Sequence, residues 1–421
     1  MDKRLYDNFV TLLEHELVPA LGCTEPIAVA FCAATAAKVL GRLPDYVDVR
    51  CSGNIIKNVK GVTVPNSGGM KGIEAAAVLG IIGGDADRKL EVLQSVTDAD
   101  RAAAREFLAS GKCKTSLQEG EGNLYILCSL RSGEDEVQVE VKTNHDHISK
   151  IVKNGEVLHS QDAVVAAQHG DKSVLSLENI YAFANTCNID DVAHIVERQV
   201  EKNMALAHEG MTNQWGVNVG RNYLELSDGN VRVRAAATAA AGSDARMSGC
   251  SLPAVINSGS GNQGCTISLP IAVYAEELGV GREKMVRALV LANLISIHQK
   301  RFIGNLSCYC GATSAATAAV CGVAYMMDEP FNVICDTIVN SIATLGGMIC
   351  DGAKASCATK IRTAVDNAIF AMELARRGQV FQEGEGVVGE DAEATIRNIG
   401  RVGRIGMAPT DIEVLNIMIG C

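Results

Sequence analysis

Apolar residues recur at helical spacing over residues 4–18, until Pro19-Ala-Leu-Gly22 breaks the pattern and Cys23-Thr-Glu-Pro26 opens a second apolar helix reaching about Leu40. From Tyr46 the period shortens to that of strands, at 46–51, 61–65, 123–130, 136–142 and 148–153, with helices expected at 68–83 and 89–110. The turn signals Arg131-Ser-Gly-Glu and Lys153-Asn-Gly-Glu mark hairpins, so this stretch predicts a small antiparallel sheet carrying helices on one face. Beyond Ser173 nearly every segment has the helical period: 176–186, 189–209, 229–248, 264–278, 282–299, 312–327, 331–345, 355–377 and 389–398. The pattern predicts an α+β fold. Residues 1–42 form helices packed on the C-terminal part, 43–165 an α+β domain, and 170–421 a large helical domain, with the linker at 162–172.

Composition narrows the class. The formal net charge of −11 comes without a basic patch, which argues against nucleic acid. No apolar run reaches the ~18–20 residues that crossing a bilayer requires. Aromatic residues are only 4% of the chain while Gly and Ala abound, so helices are expected to pack closely through small side chains, an arrangement compatible with a homodimer. The opening MDKRLYDNFV lacks the basic and apolar regions of a signal peptide, which predicts a cytoplasmic protein. In that reducing setting the fifteen cysteines are core residues, metal ligands or catalytic thiols rather than disulfides. Those beside apolar runs, such as Cys32, Cys128, Cys265, Cys321 and Cys335, read as core.

Cys310, Cys350 and Cys357 stand apart in Gly/Ala/Ser-rich surroundings, as if gathered round one soft metal centre. Structural zinc would ask for paired ligands, and no C-x2-C or H-x3-H occurs near them. Three thiolates on an iron–sulfur cluster leave one iron free to act as a Lewis acid. Spacing alone leaves Cys308, Cys321 and Cys335 as competing ligands. Cys23 begins a helix, where the local field lowers a thiol's pKa and makes a base or nucleophile available; a buried packing cysteine is the alternative. Asn257-Ser-Gly-Ser-Gly-Asn-Gln-Gly264 precedes an apolar helix and offers N–H groups to an anion, or is a flexible connector. Residues 52–58 read as a turn beside a strand, and His145-Asp146-His147 as a solvated strand face rather than a metal site.

Several of these runs together resemble the L-cysteine desulfidase family: PALGCTEPI at 19–27, Lys57-Asn58 with GVTVP at 61–65, SDARM at 243–247, the 257–264 loop, Leu306-Ser307 with Cys310, and GMICDGA at 347–353 with Ser356-Cys357. More distantly the chain is similar to the α part of iron–sulfur L-serine dehydratases. The resemblance implies a [4Fe-4S] cluster, no pyridoxal phosphate, and cleavage of L-cysteine to pyruvate, sulfide and ammonia. It implies cluster ligation by Cys310, Cys350 and Cys357, with Cys23 as proton acceptor. It also implies an amino-acid pocket formed by Asn54, Lys57, Asn58, Ser258, Ser260, Asn262 and Gln263. The terminal Cys421 has a counterpart in serine dehydratases that reaches the fourth iron, against which stands a frayed terminus. Three alternatives remain: L-serine dehydration, a pyridoxal-phosphate lyase with Lys57 as Schiff base, and a cluster- or ligand-binding sensor without turnover.

Overall fold

The computed structural model describes residues 1–161, 170–304 and 306–420. Most of the expected linker and all of Cys421 lie outside the described residues. The architecture is α+β: a six-stranded sheet with helices on one face, joined to a larger set of packed helices.

The sheet contains β2 (Tyr46–Cys51), β3 (Cys113–Leu117), β4 (Tyr125–Ser132), β5 (Asp135–Lys142), β6 (Ile148–Lys153) and β7 (Glu156–Ser160), in the order β3-β2-β4-β5-β6-β7. Strand β5 shows why: in DEVQVEVK, Val137, Val139 and Val141 are fully buried while their neighbours are part-exposed. The expected antiparallel pairing holds from β2 through β7, but β3 runs parallel to β2, so the sheet is mixed. A parallel pair needs a long crossover. The helices Gly53–Lys60, Ile73–Gly83 and Asp98–Ala109 supply it. The helix expected at 89–110 is thus shorter, and 61–65 is no strand but carries a single bridge, Thr63 to Lys71.

Small residues set the spacing of the helices. Gly80 lies against the backbone of the helix Thr24–Leu40, where an added Cβ would stand 2.3 Å from the Ala30 carbonyl oxygen. Gly210 approaches Ala241 in the same way within the helical part, at 2.0 Å. These contacts bring backbones close and explain why so few aromatics suffice to fill the core.

The two N-terminal helices join different cores. Phe9, Leu12 and Leu13 of Lys3–Glu16 pack with the C-terminal helices, Phe9 meeting Phe183 edge-on at 5.0 Å between ring centroids. Helix Thr24–Leu40 packs on the sheet instead. Between them β1 (Pro19–Leu21) pairs antiparallel with β8 (Pro253–Val255). That two-stranded clip brings the start of helix Thr24–Leu40 beside the 257–264 loop, where the two cores meet. Among the described residues no helix is long and apolar enough to cross a membrane.

Candidate active site

Two chain segments some forty positions apart are zipped together by backbone hydrogen bonds. Tyr309 and Ile349 form an isolated antiparallel bridge, Cys310 N–H donates to the Met348 carbonyl at 2.8 Å, and Cys350 N–H to that of Cys308 at 2.6 Å. This sets Cys310 and Cys350 side by side, their thiols hydrogen-bonded to each other. Cys357, the first residue of helix Cys357–Arg376, lies within electrostatic reach of both, and Cys310 caps helix Gly311–Met326. The hydrogen bond from Cys310, reinforced by Lys57, the Gly352 amide and Lys360, holds Cys350 below the ordinary thiol range despite burial. Cys310, as its donor and a buried group, is pushed up. Lys300, from helix Arg282–Ile303, is buried nearby and pushed down to about 8 by desolvation, against the pull of Cys350 and Cys310. Cys308 instead turns its thiol to the Cys350 carbonyl at 3.5 Å, and Cys321 and Cys335 lie on separate helices, with Cys321 bonded to the Ile334 carbonyl.

Among the described residues no three His, Cys, Asp or Glu side chains stand close enough to grip a single metal ion. The chemistry of the donor set, three thiols, suits an iron–sulfur centre in which each thiolate attaches to a different iron. Thiols as the converging side chains, and lysines as their charged surroundings, fit an anionic iron–sulfur group.

Cys23 faces the same region. It packs with Val62 and Met247, and Cys357 and Ala353 close that cluster. The helix start was expected to lower its pKa. Burial, followed by the adjoining Glu25 carboxylate, instead raises it well above the ordinary value, so the group is a thiol, donating to Glu25 Oε2 at 2.8 Å. Burial pushes Glu25 up too, but His145 and the Cys23 hydrogen bond outweigh it and keep the carboxyl below its usual range. Asn58 Nδ2 donates to Glu25 Oε1 at 3.0 Å, and His145 Nε2 stands 4.0 Å from the same oxygen. His145 is therefore no solvated strand residue. It sits buried in the turn after β5, against Gly259, at the inner end of a cleft of about 1520 Å³ that Ser258 also lines.

The remaining pocket candidates divide. Residues 52–58 are not a surface turn: Gly53–Lys60 is a helix that buries Lys57 and Asn58. Asn54 Oδ1 is buried without a partner. Lys57 is committed elsewhere, paired with Asp411 of the helix Ala408–Ile419, whose second oxygen accepts from Cys308 N–H at 3.0 Å. Lys57→Met is accordingly expected to cost about 3 kcal/mol of stability by leaving Asp411 unpaired, as removal of one partner of a buried pair does. A melting curve checks this; an unchanged midpoint would free Lys57 for a substrate role. In the 257–264 loop, Ser258 bonds to Asn257, Ser260 caps helix Gly261–Leu278 by accepting from Gln263 N–H, and Asn262 accepts from Arg246. Gln263 Oε1 is buried without a partner and rests against Gly311, next to Cys310. Asn257, bonded to Asn293, which also bonds Gln199, anchors the loop to the helical core.

Residues 87–416 match the serine dehydratase alpha chain family. The chain belongs to that family. It is also similar over its whole length to UPF0597 proteins: 48% identical to one of Finegoldia magna (98% of this chain, 99% of that one), 46% to one of Lachnoclostridium phytofermentans (99% and 100%), and 44% to one of Treponema denticola (100% and 99%). The family match contains the three clustered thiols, whereas Cys23, Glu25 and helix Gly53–Lys60 precede it. Sequence reasoning missed Glu25, Arg246 and Lys300 as members of the site. The signal for Arg246 was faint: its helix carries two further arginines, Arg232 and Arg234, and only the Ala/Gly/Ser-rich run before Asp244 sets Arg246 apart from them.

Proposed function

We propose that this serine-dehydratase-like lyase acts on L-cysteine, eliminating the β-sulfur to leave pyruvate, ammonia and sulfide, with a [4Fe-4S] cluster as resident cofactor. The observation that carries the reading is the meeting of Cys310, Cys350 and Cys357 in one part-buried place with Cys23 and Glu25 alongside. Cys310, Cys350 and Cys357 would hold the cluster, which when bound supplies a Lewis acid for the substrate's polar groups. The chain's own residues do the rest. Glu25 Oε2 holds the Cys23 thiol by an existing 2.8 Å hydrogen bond. The substrate's ammonium group, bound beside the pair, offsets the burial and carboxylate charge that disfavour the thiolate, so that Cys23 yields its proton to Glu25 and takes the α-hydrogen. Asn58 Nδ2, donating to the other carboxylate oxygen at 3.0 Å, holds Glu25 in place beside the thiol. Aminoacrylate leaves, tautomerises and hydrolyses in water without help from the protein.

Glu25→Gln tests the thiol–carboxylate pair. The amide keeps the bulk but cannot take the proton, so kcat is expected to fall about a hundredfold while bound iron stays unchanged. Unaltered kcat would remove Glu25 from the reaction. A second reading, L-serine dehydration, is favoured by the family match itself. Comparing kcat/KM for L-cysteine and L-serine with anaerobically reconstituted protein decides between them: the account expects cysteine to be preferred, and a higher value for serine would overturn that choice.

A further inference from the structure

Arg246 ends the helix Val231–Met247 and is 2% exposed, among the largest fully buried side chains of the protein. Its Nη1 donates to Asn262 Oδ1 at 2.9 Å, while Nε is buried and has no partner. No carboxylate among the described residues forms an ion pair with it. Asp244, two positions earlier, accepts from Gly220 N–H on another side. Glu25 is within electrostatic reach, but its oxygens are bonded to Cys23 and Asn58. Burying a guanidinium with no carboxylate bonded to it is costly.

Its placement adds to that cost. The guanidinium lies over Gly261, the first residue of helix Gly261–Leu278; a Cβ there would come within 2.3 Å of Nε, so only glycine permits the approach. A cation is thus held against the positive end of a helix dipole, where the Gly261 and Asn262 N–H groups have no intrahelical acceptor, that of Gln263 being taken by Ser260 Oγ. Two positive elements face each other, and no carboxylate of the described residues bonds to the guanidinium. The neighbouring Gln263 Oε1 is likewise buried and unpartnered, beside Gly311, the residue that follows Cys310.

We propose that Arg246, with the N-terminal amides of helix Gly261–Leu278, is the receptor for the substrate's α-carboxylate. This rests on the amino-acid lyase reading for the identity of the ligand, and gives the carboxylate a partner that Lys57, held by Asp411, does not supply. The anion completes a charge arrangement the fold leaves open, and fixes the amino acid with its α-carbon between Cys23 and the three thiols. Ligands lacking a carboxylate are thereby refused.

The test uses anaerobically reconstituted protein and calorimetric binding of L-serine and L-serinamide, alongside L-cysteine turnover. Wild type should bind L-serine at least about thirtyfold more tightly than the amide, as loss of a buried charged contact predicts. Arg246→Met should abolish that preference and raise KM for L-cysteine by a similar factor, with a smaller change in kcat, and Arg246→Lys should recover part of both. Equal affinity of wild type for the two ligands would overturn the proposal even if no variant folds. So would an Arg246→Met protein that keeps the preference. Wild type that discriminates through Arg246 but forms no pyruvate would sink the lyase reading and leave the receptor standing.

Discussion

Cys350→Ser is expected to give a folded protein that retains almost no iron and forms no pyruvate. The backbone contacts that build its loop, Cys350 N–H to Cys308 and Cys310 N–H to Met348, do not involve the side chain, so the substitution should leave the melting temperature of the metal-free protein within a few degrees. What disappears is the thiol that the surroundings hold below its ordinary range, the one best prepared to ligate a soft metal. Loss of groups that merely support metal ligands costs about 10- to 100-fold in affinity, and loss of a ligand should exceed that. Iron analysis after anaerobic reconstitution checks the expectation. A Cys350→Ser protein with full iron content would transfer the ligand role to another group, Cys308 being nearest in sequence to the bridge.

Cys23→Ser should separate chemistry from assembly. The site's iron is expected to remain at the wild-type level, because Cys23 adjoins the three thiols only by packing with Val62, Met247 and Cys357. Turnover should fall by about 10²- to 10⁴-fold, the usual contribution of a general base, since a serine hydroxyl is too weak an acid for Glu25 to deprotonate. KM should change little. Full kcat in this variant would remove the base assignment and move attention to Glu25 itself or to His145, whose imidazole borders the cleft.

Much of this was written in the chain's periodicities. Alternation marked β2 and β5, short strand-like runs marked β4 and β6, and the nine helices expected after Ser173 appear at the predicted places within a few residues, whereas Val219–Glu225 and Ala408–Ile419 were not read. The parallel strand β3 escaped because Cys113–Leu117 is mostly exposed, leaving no alternation of buried positions to read. Helix Gly53–Lys60 escaped because it is short and polar: Ile55 and Val59 join the core under the sheet, while Lys57 and Lys60 bond to the distant helix Ala408–Ile419. The trio of thiols was visible as residue type and context. The direction of the Cys23 shift was not, because it depends on Glu25 and on burial that only tertiary packing creates. His145 shows the same limit: an alternating strand ends just before it, and the turn folds the imidazole inward onto Glu25.

The account depends above all on one polynuclear centre per chain, and the most direct measurement is iron and acid-labile sulfide content after anaerobic reconstitution, followed by L-cysteine-dependent pyruvate formation in the same sample. About four irons and four sulfides per chain, with pyruvate released, is the predicted result. Protein that is folded, with all its thiols reduced, and yet takes up no iron under these conditions would contradict it.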